Sequence, residues 1–151
     1  MDQKDIIIEQ VTTFSPEIAE AIRSFVHQLG DNYQPFTDDS LREILDSPQS
    51  FLFIARHKPS KQIAGMIMET VYRIPYTIKA YIDDLFIDEK FRKMGIATKL
   101  MQKTIETAKE HNASYVDFTS SPYRIAGNSL YEKLGFKKRE TNVYRLHLTY
   151  E

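Results

Sequence analysis

The chain has 151 residues, long enough for one sizeable hydrophobic core and short for two, and its 42% apolar and 27% charged residues are those of a soluble globular domain. A formal net charge of −1 argues against wholesale attraction to nucleic acid or to an anionic membrane. The chain has no cysteine, which excludes disulfides, thiolate metal sites and cysteine nucleophiles together.

The four histidines, His27, His57, His111 and His147, stand far apart, so no metal is expected. The N-terminal stretch MDQKDIIIEQ holds only a three-residue apolar run, and no segment approaches the ~18 apolar residues of a membrane span. A cytoplasmic location follows as the expectation.

Ile6 to Val11 reads as a first strand. Ser15-Pro16-Glu17 then predicts a helix start, with a serine cap, proline in the first helical position and an acid in the first turn. Ile18, Ile22, Phe25, Val26 and Leu29 form its apolar stripe, and Gly30 ends it. The following loop, Asp31 to Thr37, holds Asn32, Tyr33, Pro35 and Phe36. Its aromatics would suit a substrate lip or would pack onto a sheet.

A short helix is predicted from about Asp38 to Asp46, with Ser40 and Glu43 spaced as a capping box, Leu41, Ile44 and Leu45 facing inward, and Pro48 as its stop. Phe51 to Arg56 and Ile63 to Arg73 make a hairpin of strands around the turn HKPSKQ, and Pro75 turns the chain into the next strand.

That strand, Ala80 to Ile87, carries aromatic and β-branched residues but is broken by the acid pair Asp83 and Asp84. From Ile96 onward Leu100, Met101, Ile105 and Ala108 form the stripe of an amphipathic helix, with Lys99, Lys103, Glu106 and Lys109 outside it. The junction between them, Arg92-Lys93-Met94-Gly95, concentrates donors. The first turn of a helix has backbone N–H groups without internal partners and a partial positive charge. Gly95 permits close backbone approach, and Arg92 and Lys93 add full charges, so the junction can hold a phosphate or pyrophosphate. The nucleotide motifs Gly-x-x-x-x-Gly-Lys-Ser/Thr and Gly-x-Gly-x-x-Gly are both missing.

Arg92-x-x-Gly95-x-Ala97, preceded by Leu85-x-Ile87 and opening an amphipathic helix, resembles the acyl-coenzyme A motif of the GNAT superfamily of N-acetyltransferases. Further on, Tyr115 to Thr119 reads as a strand parallel to the Ala80 strand, Ile125 to Leu134 as a last helix capped by Gly135, and Asn142 to Tyr150 as a final alternating strand. Leu130-Tyr131 and Gly135-Phe136 within that helix and its exit are similar to a second pattern of the same family, and Phe136 is expected to plug the core. Arg124 and Gly127 stand where many members have Asn and Ala, so Arg124 is expected to reach a phosphate or the substrate instead.

The resemblance implies an α/β GNAT fold: a mixed, mostly antiparallel sheet with one central parallel crossover and helices on both faces, formed by residues 1–151 as a single N-acetyltransferase domain. It implies acetyl-coenzyme A as co-substrate and a primary amine as acceptor, with direct attack in a ternary complex. Partners are limited to these two, without nucleic acid or membrane, and a homodimer is admitted.

By the same resemblance Leu85, Phe86 and Ile87 pair with pantetheine, and Arg92, Lys93, Met94, Gly95, Ile96, Ala97 and Thr98 hold the pyrophosphate. Arg124 and Asn128 add contacts, and Tyr131 points at the cofactor sulfur as acid for the departing thiolate. A base for the amine is sought among Asp83, Asp84 and Glu69. Two-residue alternation places Asp83 with Leu85 and Ile87, and Asp84 with Ile82 and Phe86, without deciding which acid meets substrate. The alternatives are that these acids pair with arginines or cap backbone groups, and that the domain binds an acyl-coenzyme A without catalysis. A nucleotide-binding module of unrelated fold is the third reading.

Overall fold

A computed structural model describes residues 3–30 and 34–150. Asp31, Asn32 and Tyr33 of the expected lip lie outside the described residues. The chain divides into two compact units, Met1–Thr119 and Ser120–Glu151.

The first unit is built on a five-stranded sheet in the order of the chain: β1 Ile6–Gln10, β2 Ser50–His57, β3 Ile63–Ile74, β4 Thr77–Ile87 and β5 Val116–Asp117. Neighbours are antiparallel except the last pair, β4 and β5, which run parallel across the intervening helix. This mixed α/β sheet with one crossover is the expected architecture.

Three helices cover the sheet. Helix α1, Pro16–Leu29, begins as predicted, with the Ser15 hydroxyl accepting the Ile18 N–H and proline in the first turn. Helix α2, Asp38–Asp46, is capped one turn earlier than expected. Thr37 is the cap and exchanges hydrogen bonds with Ser40, because Thr37 is extended whereas Ser40 already lies inside the helix. Helix α3 spans Ile96–Glu110.

The strand period sorts the core into two faces. Ala19, Ile22 and Phe25 of α1 and Leu41 of α2 pack with Leu52, Ile54, Met66 and Phe86. Val71 and Ala80 point the other way, with Phe51, Ile78 and Val116, and meet Ala108 of α3. Phe36, from the expected lip, is half-buried against the first of these clusters, which favours its packing role.

The second unit holds one helix, α4 Ile125–Lys133. After Leu134 the chain turns at Gly135, whose N–H donates to the Glu132 carbonyl, and the Phe136 N–H donates to the Tyr131 carbonyl. Phe136 is half-buried rather than fully enclosed. The predicted strand over 142–150 is absent: Val143, Tyr144, Leu146, Leu148 and Tyr150 remain 68–88% exposed. Alternation forms a strand only where an edge takes up its backbone groups, and the described residues of this unit contain no strand. Among the described residues no helix is long and apolar enough to cross a membrane.

Candidate active site

The candidate site is built on β4 and the turn that follows it. On one edge β4 pairs with β5 only at Ala80–Val116 and Tyr81–Asp117, although β4 continues for six more residues to Ile87. Beyond Tyr81 that edge has no ladder partner among the described residues.

The other edge carries a bulge that the sequence did not disclose. Met68 pairs with Asp83 and Met66 with Phe86, so β4 takes three steps where β3 takes two. Asp84, at the extra position, has φ +55°, a left-handed conformation that aspartate tolerates better than the branched residues around it. The bulge resets the alternation. Asp83 shares a face with Met68 and Phe86, not with Ile87, whereas Glu69 and Ile82 share the face that α3 covers. The expected pairing of Asp83 with Leu85 and Ile87, and of Asp84 with Ile82 and Phe86, is therefore corrected: one inserted residue inverts every assignment beyond it.

The three candidate carboxylates differ in kind. Glu69 has 0% exposure, and neither of its oxygens has a hydrogen-bond partner among the described residues. Burial pushes its carboxyl up to about 8, so it is mainly neutral at pH 7. Asp83 and Asp84 keep exposed surface. Burial still raises Asp83, with the Asp84 charge adding to it, and burial alone raises Asp84. Salt bridges of the described residues involve none of the three, which removes the arginine-pairing alternative there.

From Ile87 the chain passes through a 3-10 turn, Glu89–Phe91, into Arg92 and α3. Lys93 (φ +64°) and Gly95 (φ +75°) are both left-handed, a sequence of turns that directs successive backbone N–H groups toward one side. Gly95 is the N-cap, and no side chain of the described residues caps the helix there. Arg92 and Lys93 are exposed, and Arg92 Nε donates to the Ile87 carbonyl at 3.4 Å. Met94 and Ile96 are buried, as is Phe86, whose ring lies 4.9 Å from that of Phe25. These three can serve a ligand only through their backbones. Ala97, Thr98, Leu85 and Ile87 are half-buried.

In the second unit the remaining candidates gather on α4. Arg124 is exposed at the N-cap, and Asn128 is half-buried with its side-chain amide donating to the Ser121 carbonyl at 3.1 Å. Tyr131 is half-buried, and a Cβ at Gly127 would stand 3.4 Å from its hydroxyl. The glycine thus keeps the space beside that phenol open.

Surface clefts lie elsewhere as well, one of about 400 Å³ between Arg23, Phe36, Asp38 and Arg42 and one of about 480 Å³ near Glu17, Lys61, Asp88 and Lys90. Neither includes a residue of β4 or of 92–98.

The family model for the acetyltransferase (GNAT) family matches residues 19–136. The chain belongs to this family. N-alpha-acetyltransferase 30 of Schizosaccharomyces pombe is 30% identical over 118 residues, covering 78% of this chain and 77% of that one. Among solved structures, an aminoglycoside acetyltransferase from an uncultured soil metagenomic sample superposes with a TM-score of 0.80 at 19% identity, covering 97% of each chain. Glucosamine-6-phosphate N-acetyltransferase from Arabidopsis thaliana gives 0.77 at 15% identity, covering 93% of this chain and 98% of that one. The two structural likenesses establish a GNAT fold, and the sequence matches establish a GNAT acyltransferase.

Proposed function

We propose that this GNAT protein transfers an acetyl group from acetyl-coenzyme A directly to a primary amine, with residues 1–151 acting as one domain. The support is the course of β4: its ladder with β5 ends at Tyr81, it bulges at Asp84, and it leads into a helix start at Gly95 that no side chain of the described residues caps. An open strand edge suits an amide-rich pantetheine arm, and an uncapped helix start beside two cations suits a diphosphate.

In this reading the backbone of Leu85 to Ile87 pairs with the arm and donates to the thioester oxygen as charge develops on it. The amides of Lys93 to Thr98, with the Arg92 and Lys93 charges, anchor the diphosphate. Asp83 and Asp84 are the exposed acids of the bulge, and their raised affinity for protons suits them to take a proton from the incoming ammonium. As the N–C bond forms and the C–S bond breaks, the Tyr131 hydroxyl supplies a proton to the departing thiolate. Glu69, sealed from solvent, is assigned no contact with substrate. Arg124 and Asn128 lie at the head of the helix that carries Tyr131 and add polar contacts to the cofactor.

The relative in S. pombe bears a name that specifies α-amino acetylation, so N-terminal peptide amines head the acceptor panel, followed by amino sugars and polyamines. Acetyl-coenzyme A is incubated with each amine and free thiol release is followed. Turnover with at least one primary amine, lost in Asp83→Asn/Asp84→Asn, supports the reading; coenzyme A binding without turnover on any amine contradicts it.

A further inference from the structure

The parallel ladder between β4 and β5 contains only two residue pairs, too few to fix the angle between two strands. A group of side chains at its N-terminal end supplies what the ladder lacks. Lys79 Nζ lies 3.6 Å from Asp117 Oδ2, 5.7 Å from the ring centre of Tyr72 and 5.6 Å from that of Tyr115. The ammonium of β4 is thereby held between an aromatic ring on β3, another just before β5, and a carboxylate on β5. The Tyr76 hydroxyl meets that of Tyr115 at 3.2 Å, and the hydroxyls of Thr77 and Ser114 are hydrogen-bonded. Backbone bonds from Ala80 N–H to the Tyr115 carbonyl, 3.0 Å, and from Ser114 N–H to the Ile78 carbonyl, 2.8 Å, close the same end.

This is more than a surface ion pair. The Lys79 and Asp117 side chains are only 19% and 29% exposed, so solvent screens them less than a fully exposed pair, and a cation flanked by two tyrosine rings gains from both. Lys79, Tyr81 and Asp83 alternate along one face of β4 up to the bulge, so this group and Asp83 share a face.

The ladder is pinned at this end and stops at Tyr81–Asp117, and β4 runs on without a ladder partner on that edge toward Leu85 to Ile87, where the pantetheine arm is placed in the proposed function. We propose that Lys79, clasped by Asp117, Tyr72 and Tyr115, is a positioning residue that fixes the opening between β4 and β5 and so the width of the slot for the pantetheine arm. The inference rests on that placement. Lys79 touches no ligand in this account: it acts through the strand that does.

The test compares two ligands by calorimetry: coenzyme A, and adenosine 3′-phosphate 5′-diphosphate, which keeps the diphosphate end and lacks the arm. Lys79→Ala is expected to weaken coenzyme A about tenfold, as loss of one ion pair and a cation–π pair implies, while the arm-less ligand stays within about twofold. Lys79→Arg, which can keep both the carboxylate and the rings, is expected to recover coenzyme A affinity to within about threefold. Unchanged coenzyme A affinity in Lys79→Ala overturns the proposal, and so does equal weakening of both ligands, which marks a general structural loss. If circular dichroism shows Lys79→Ala unfolded, Asp117→Asn takes its place under the same outcomes. Arg92→Glu separates the underlying reading: if it leaves the arm-less ligand's affinity unchanged, the diphosphate placement itself is wrong.

Discussion

Glu69→Gln should stabilise the fold in a strongly pH-dependent way. The Glu69 carboxyl is sealed in the centre of the sheet without a partner among the described residues, and burial raises it from 4.5 to about 8. For an acid raised in the folded state, the two states bind the same proton below 4.5, and nothing is lost there. Between 4.5 and 8 the unfolded chain ionises while the folded one does not, so wild-type stability falls by about 1.4 kcal/mol per pH unit from this group. The loss reaches roughly 3 kcal/mol at pH 7 and levels near 5 kcal/mol above pH 8. Glutamine keeps the shape and cannot ionise, so its own burial cost is independent of pH. Urea melts of both proteins from pH 4.5 to 9 should therefore diverge, with Glu69→Gln gaining relative to wild type as pH rises and the gap flattening above 8. Parallel curves across this range would refute the reasoning, since they require a Glu69 carboxyl that titrates alike in both states.

Three further outcomes follow from the geometry. Gly95→Val forces a β-branched residue into φ +75°, and coenzyme A affinity measured by calorimetry should drop at least about tenfold. Tyr131→Phe should lower the turnover number by about 10- to 100-fold with little change in coenzyme A affinity; unchanged turnover removes the phenol from the mechanism. Gly65→Ala would place a Cβ 2.7 Å from the Phe86 carbonyl oxygen and 2.9 Å from Ile87 Cδ1, so thermal melts should show a loss of about 1–3 kcal/mol as β3 and β4 are pushed apart.

Much of the frame was legible because its signals are local. Ser15-Pro16 started α1 as read, and the stripe from Ile96 to Ala108 gave α3 its full length. The β3–β4 bulge was not legible, since alternation assumes a constant step and one extra residue leaves no trace in composition. The one available hint was an Asp-Asp pair inside a strand, as aspartate accepts a left-handed conformation. Residues 142–150 alternate well yet form no strand, because alternation alone supplies no partner for the backbone groups. The group around Lys79 was invisible for a related reason: Tyr72, Lys79 and Asp117 come from three strands, Tyr115 from the residue before β5, and they meet only once the register is set.

In the proposed function the amides at the start of α3 bind a diphosphate while the free edge of β4 takes the arm attached to it. Titrating coenzyme A into 15N-labelled protein and following backbone amide shifts tests it directly. The largest changes are expected at Lys93 to Thr98 and at Leu85 to Ile87, with the first group alone responding to adenosine 3′-phosphate 5′-diphosphate. Saturable binding that leaves the amides of Lys93 to Thr98 unmoved would contradict it.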